Sequence, residues 1–114
     1  MDDFQDWIVE LKKSKKAIIV EGKKDKSALE KLGIKKNIII LNKPIFQIVE
    51  IISSRYKDCI LLLDLDKEGR KLYHKLKHDL QKHKVRIDHK FREFLLKETK
   101  INYIESLKKF KVNF

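Results

Sequence analysis

The sequence predicts an α/β fold, a sandwich of helices flanking a mainly parallel sheet of about four strands, and three observations carry that expectation. Three short, mostly apolar runs, at 17–20, 37–41 and 59–63, are too short for helices and read as strands, and 85–89 is read as a fourth. The segments between them repeat apolar residues at helical spacing, and strands that alternate with helices build parallel sheets. A chain of 114 residues with 42% hydrophobic residues sustains one core, which excludes a multidomain machine.

Each element has its own signal. Phe4, Trp7, Ile8 and Leu11 fall at i, i+3, i+4 and i+7, one buried helical stripe over 3–13, with Asp2 and Asp3 placed to cap it. The run 17–20 lies between the charged stretch 12–16 and Glu21-Gly22, so it reads as a strand buried on both faces. Asp25 is placed to cap the next helix, Ala28, Leu29 and Leu32 form its inward stripe, and Gly33 sits where a left-handed C-terminal residue belongs. After the strand 37–41, Pro44 starts a helix with Ile45, Ile48, Val49 and Ile52 on one face. The strand 59–63 leads through 64–69 into a helix ending near Lys82, with the stripe Leu72, Leu76 and Leu80 flanked by Tyr73. A fourth strand, 85–89, closes a core of about 15–90. Two amphipathic pieces, 91–96 and 101–110, make 91–114 a helical extension of a single domain spanning 1–114, because no Gly- or Ser-rich linker interrupts the chain.

The balance of 28 Lys and Arg against 17 Asp and Glu gives a net charge of +11. The excess is uneven: the first 66 residues hold 13 basic and 11 acidic side chains, the last 48 hold 15 and 6. Such a surface suits a polyanion, nucleic acid above all. No apolar run approaches the roughly 20 residues of a membrane helix. The acidic start Met1-Asp2-Asp3 lacks the basic and apolar regions of a secretory signal, and the lone Cys59 cannot form an intrachain disulfide, so the expected location is the cytoplasm.

Ligands of parallel sheets bind beyond the carboxyl ends of the strands. Three loops meet that condition: Glu21 to Asp25, Asn42 to Pro44, and Asp64 to Arg70. In an extended segment Asp64 and Asp66 project the same way, and a turn into the helix brings Glu68 beside them. Carboxylates crowded like this repel unless they share a cation, and hard oxygen ligands suit Mg²⁺ or Mn²⁺. An EF-hand is excluded because the loop lacks further oxygen ligands and the closing Glu. Glu21, ending another buried strand, adds a fourth carboxylate that is costly to bury near the others without a metal or a shared proton. His74 and His78 at i, i+4 lack the companions of a zinc site.

The runs Ile18-Ile19-Val20-Glu21-Gly22-Lys23-Lys24-Asp25 and Leu61-Leu62-Leu63-Asp64-Leu65-Asp66-Lys67-Glu68-Gly69 resemble the Toprim domain of topoisomerases, bacterial-type primases, 5S ribosomal RNA maturases and related nucleases. The sequence looks most like the stand-alone small Toprim proteins of archaea and bacteria. The resemblance implies a Rossmann-like sandwich, Glu21 as general acid or base, Asp64 and Asp66 as Mg²⁺ ligands, Glu68 as a further acidic position, and Asp25 where primases and maturases also carry an acid. Leu65 replaces the proline usual between the topoisomerase aspartates, and a domain bearing a catalytic tyrosine is lacking, so topoisomerase activity is not expected.

The expected function is therefore Mg²⁺- or Mn²⁺-dependent phosphoryl transfer on RNA or DNA, of nuclease or nucleotidyl-transfer type. Lys23, Lys24, Lys67, Arg70, Lys71 and Lys75 are the expected phosphate contacts. The alternative is a non-catalytic RNA- or DNA-binding subunit of a larger nucleoprotein complex. A domain this small leaves a second copy or a protein partner to supply further binding surface. Phe91, Phe94, Tyr103 and Phe110 are read as core or dimer contacts rather than base-stacking platforms.

Overall fold

A computed structural model describes residues 1–110, and the end of the extension, 111–114, lies outside the described residues. The elements are α1 (Phe4–Lys13), β1 (Ala17–Val20), α2 (Lys23–Lys31), β2 (Ile38–Ile40), α3 (Ile45–Arg55), β3 (Asp58–Leu61), α4 (Lys67–Lys82), β4 (Arg86–Ile87), α5 (Lys90–Glu98) and a 3₁₀ helix, η1 (Ile104–Lys109). The strands pair in the order β2-β1-β3-β4, every pair parallel, with Ile18 opposite Ile38 on one side and Ile60 on the other.

Because strand side chains alternate, β1 and β3 feed two cores. Ile18, Val20, Ile60 and Leu62 pack with α1, α2, α5 and η1, where Trp7 donates its indole N–H to the Phe91 carbonyl at 2.9 Å. Ala17, Ile19, Cys59, Leu61 and Leu63 pack with α3 and α4. Phe91 and Phe94 are core, Tyr103 is half exposed, and burial pushes the Cys59 thiol up to about 12, so it is an inert core residue. No helix among the described residues is long and apolar enough to cross a membrane.

The local signals hold with specific departures. Gly33 takes φ 89° and its N–H donates to Glu30, ending α2 as a left-handed C-terminal residue does. The sheet is shorter than the apolar runs: β3 stops at Leu61, and β4 is a two-residue edge paired only to Asp58 and Cys59. Leu62, Leu63 and Leu65 are buried in the two cores, and of these the Leu62 N–H still donates to the Ile19 carbonyl of β1 at 2.9 Å. Asp25 does not cap α2. Gly22 occupies the cap, and Asp25, inside the first turn, accepts a hydrogen bond from the Gly22 N–H at 3.0 Å.

Candidate metal centre

β1 and β3 are adjacent and parallel, so the residues that follow them emerge side by side at one edge of the sheet. Glu21 leaves β1, Asp64 follows β3, and Asp25 turns back from the first turn of α2. Their carboxylate oxygens lie within 4.8 Å of one another. The amino termini of α2 and α4 open at the same edge, where their dipoles favour negative charge, whether carboxylate or phosphate.

Each aspartate is held by backbone donors. Asp64 Oδ1 accepts from the Ile104 N–H at 2.9 Å, and the next residue, Leu65, donates its N–H to the Asn102 carbonyl at 2.7 Å. The segment entering η1 thus clamps the Asp64 loop from both directions. η1 also packs against α2, and the Glu105 N–H donates to Asp25 while its carboxylate adds negative charge there. Arg92 of α5, almost fully buried, places its guanidinium 4.1 Å above the Tyr73 ring and donates from Nη2 to the Asp64 carbonyl at 3.4 Å. Its Nε–H is buried without a partner among the described residues.

The carboxylates perturb one another. Burial first, then the hydrogen bond with Asp64 and the charges of Asp64, Asp25 and Asp66, push the Glu21 carboxyl from 4.5 up to about 8. Burial also raises Asp25, against the Gly22 N–H that lowers it. Glu21 therefore holds a proton near neutrality in the metal-free protein. A carboxyl whose folded pKa lies above its unfolded value stabilises the fold below about 4.5 and loses that contribution as pH rises towards 8. In chelator, the wild-type melting temperature is expected to fall over this interval more steeply than that of Glu21→Gln. Parallel melting curves for the two proteins between those pH values would remove the shift.

The other expected site residues take different places. Asp66 caps α4, its Oδ1 accepting from the Gly69 N–H at 2.8 Å, although its charge still reaches Glu21. Glu68 is not brought into the cluster: one residue into the helix its side chain turns to solvent and pairs with Lys71 at 3.7 Å. Lys23 and Lys24 lie exposed in the first turn of α2, and Lys67 and Arg70 in that of α4, at the carboxylate edge. Lys71 and Lys75 run on along α4, Lys75 paired with Asp79 at 2.9 Å. His74 and His78 are exposed on the same helix.

The sequence reading passes over Ile104, Glu105 and Arg92. The first two act through backbone N–H groups, which leave no residue-type signal. Arg92 does leave one, a charge beside the buried Phe91, Phe94 and Leu95 on the inward face of α5.

Comparison with known proteins gives a consistent picture. The family model described as Toprim domain matches residues 15–89. A UPF0292 protein of Methanocaldococcus jannaschii is 37% identical over 103 residues, covering 87% of this chain and 80% of its own. One of Pyrococcus abyssi is 37% identical over 92 residues, covering 81% and 70%. Among solved structures, a putative protein from Aquifex aeolicus superposes with a TM-score of 0.86 at 38% identity, over 93% of this chain and 99% of that one.

Proposed function

The chain belongs to the Toprim domain family, and from that premise we propose that it is a Mg²⁺- or Mn²⁺-dependent phosphoryl-transfer domain acting on nucleic acid, of nuclease or nucleotidyl-transfer type. The observation that supports this reading is the convergence of Glu21, Asp25 and Asp64 within 4.8 Å at the carboxyl edge of the sheet. Hard carboxylate donors crowded at one half-buried edge, where burial and neighbouring acids raise the Glu21 carboxyl, fit a divalent ion.

Asp64 and Asp25 would hold the ion, both already oriented by backbone N–H groups. When bound, the ion supplies charge neutralisation at the phosphoryl group and lowers the pKa of water. Glu21 gives or takes a proton at its carboxyl, with a pKa near the working range of a general acid or base. The α2 and α4 amino termini, with Lys23, Lys24, Lys67 and Arg70, orient the phosphates. Asp66 caps α4 through Oδ1 and would join the ligand set through its other oxygen, whereas Glu68 joins only by turning back from solvent.

A binding subunit of a nucleoprotein complex is the second reading, favoured by the engagement of Asp66 and Glu68 outside the cluster. Incubation with labelled RNAs and DNAs in Mg²⁺, Mn²⁺ or chelator separates the two. Metal-dependent products from the wild type that are absent from Glu21→Gln support catalysis. Equal products from both preparations remove it and leave the binder.

Metal alone gives a second expected result. An ion that binds only the folded state adds about 2.7 kcal/mol at a hundredfold excess over its Kd, several degrees in a domain of this size. Asp64→Asn, whose remaining Oδ1 still accepts the Ile104 N–H, is expected to abolish that gain without lowering the metal-free melting temperature. A wild type unmoved by millimolar Mg²⁺ or Mn²⁺ would mean that substrate phosphate must complete the site.

A further inference from the structure

We propose that the groove at the opposite, amino edge of the sheet is a second binding surface, one that takes the sugar-phosphate backbone of a nucleic-acid strand. The groove encloses about 540 Å³ between the end of α1, the segments leading into β1 and β3, and the start of α5. None of its lining residues belongs to the carboxylate cluster.

Its charges do not balance. Three acids reach it, and each has a cation: Asp88 pairs with Lys16 at 2.8 Å, Glu10 with Lys90 at 3.4 Å, and Asp58 with Arg86 at 2.8 Å. Lys13, Lys15, Arg55 and Lys57 line the same groove, are exposed, and make no ion pair with a described acid. Lys13 and Arg55 lie in the last turns of α1 and α3, where the helix dipole offers each roughly half a negative charge. Lys15 and Lys57 stand in connections with no such compensation. Four like charges around one open depression repel unless a polyanion joins them, and separate cations along an open wall suit a chain of phosphates better than a single small anion.

The charge count along the chain points elsewhere. All four residues belong to the nearly balanced first 66, whereas two lysines from the basic remainder, Lys71 and Lys75, are already paired on α4. The choice of nucleic acid as the polyanion rests on the reading of the carboxylate centre. The groove itself does not.

The test compares wild type, a quadruple Lys13→Gln, Lys15→Gln, Arg55→Gln, Lys57→Gln variant, and a Lys71→Gln, Lys75→Gln, Lys82→Gln variant. Each is titrated with a labelled single-stranded oligonucleotide across a salt series. If all four groove cations meet phosphates, the slope of log K against log salt becomes shallower by about 2.8, and affinity near 0.15 M salt falls on the order of 10²-fold. Retention of the metal-induced melting shift shows that the variant is folded. A wild-type slope in the groove variant, with the loss confined to the α4 variant, overturns the groove and spares the carboxylate reading. Polyglutamate competing as well as the oligonucleotide at equal charge overturns nucleic acid as the occupant. A wild type that binds no oligonucleotide overturns both.

Discussion

Replacing Glu21 with Gln is expected to lower the metal-dependent turnover by a factor of about 10² to 10⁴ while leaving the affinity for Mn²⁺ largely intact. Gln keeps the shape of the side chain and a hydrogen bond to Asp64 but can neither hold nor give up the proton that burial and the neighbouring acids retain near pH 8. Asp64→Asn is expected to lose both activity and metal. Asp66→Asn separates two further roles, since Asn caps a helix about as well as Asp and the bond from the Gly69 N–H survives. A loss of metal affinity at unchanged stability would bring Asp66 into the ligand set. No loss would leave it the cap of α4. Turnover in Glu21→Gln equal to wild type would dismiss Glu21 as the proton carrier.

The fold was legible where burial and covalent connectivity coincide. Trp7, Ile8 and Leu11 on α1, Ala17 to Val20 in β1 and Leu76 and Leu80 on α4 are all buried, as their spacing requires. The ends of elements were less legible. Leu62 and Leu63 are as apolar as the strand before them, and the Leu62 N–H still bonds the Ile19 carbonyl past Leu61, the last residue of β3, so composition does not mark where the strand ends. The site divided along the same line. Glu21 and Asp64 could be brought together from topology alone, because both follow buried parallel strands. Where Asp66 and Glu68 point depends on one or two residues of helix start, and α4 begins early enough to turn the first into a cap and the second outward. Ile104 and Arg92 come from the extension beyond the repeating unit, and no periodicity ties position 104 to position 64.

The two motif glycines make the sharpest stability test, because they look equivalent in the sequence and are not in the structure. Gly69 lies in the first turn of α4 directly against the backbone of Asp64; a Cβ added there would overlap the Asp64 carbonyl and lie 2.9 Å from its Cα. No side-chain rotation relieves a clash with backbone. Ala at an unobstructed helical position would favour the helix by about 1 kcal/mol. Here the first turn of α4 must withdraw, taking with it the Gly69 N–H that Asp66 caps and the wall that fixes Asp64. Gly69→Ala is expected to cost about 2–3 kcal/mol, an overpacking penalty that exceeds the propensity gain, and to lower the melting temperature by roughly 10–20 °C. The metal-induced rise should disappear with it. Gly22, the cap of α2, has extended backbone at φ −149° and no atom within 4 Å of the corresponding Cβ. Gly22→Ala therefore loses only the modest preference of a cap for Gly over Ala, about 1 kcal/mol or less, and should keep its response to metal. Equal melting temperatures for the two variants would show that the α4 turn yields to a methyl group, and that Asp64 is not held by the packing of Gly69 against it.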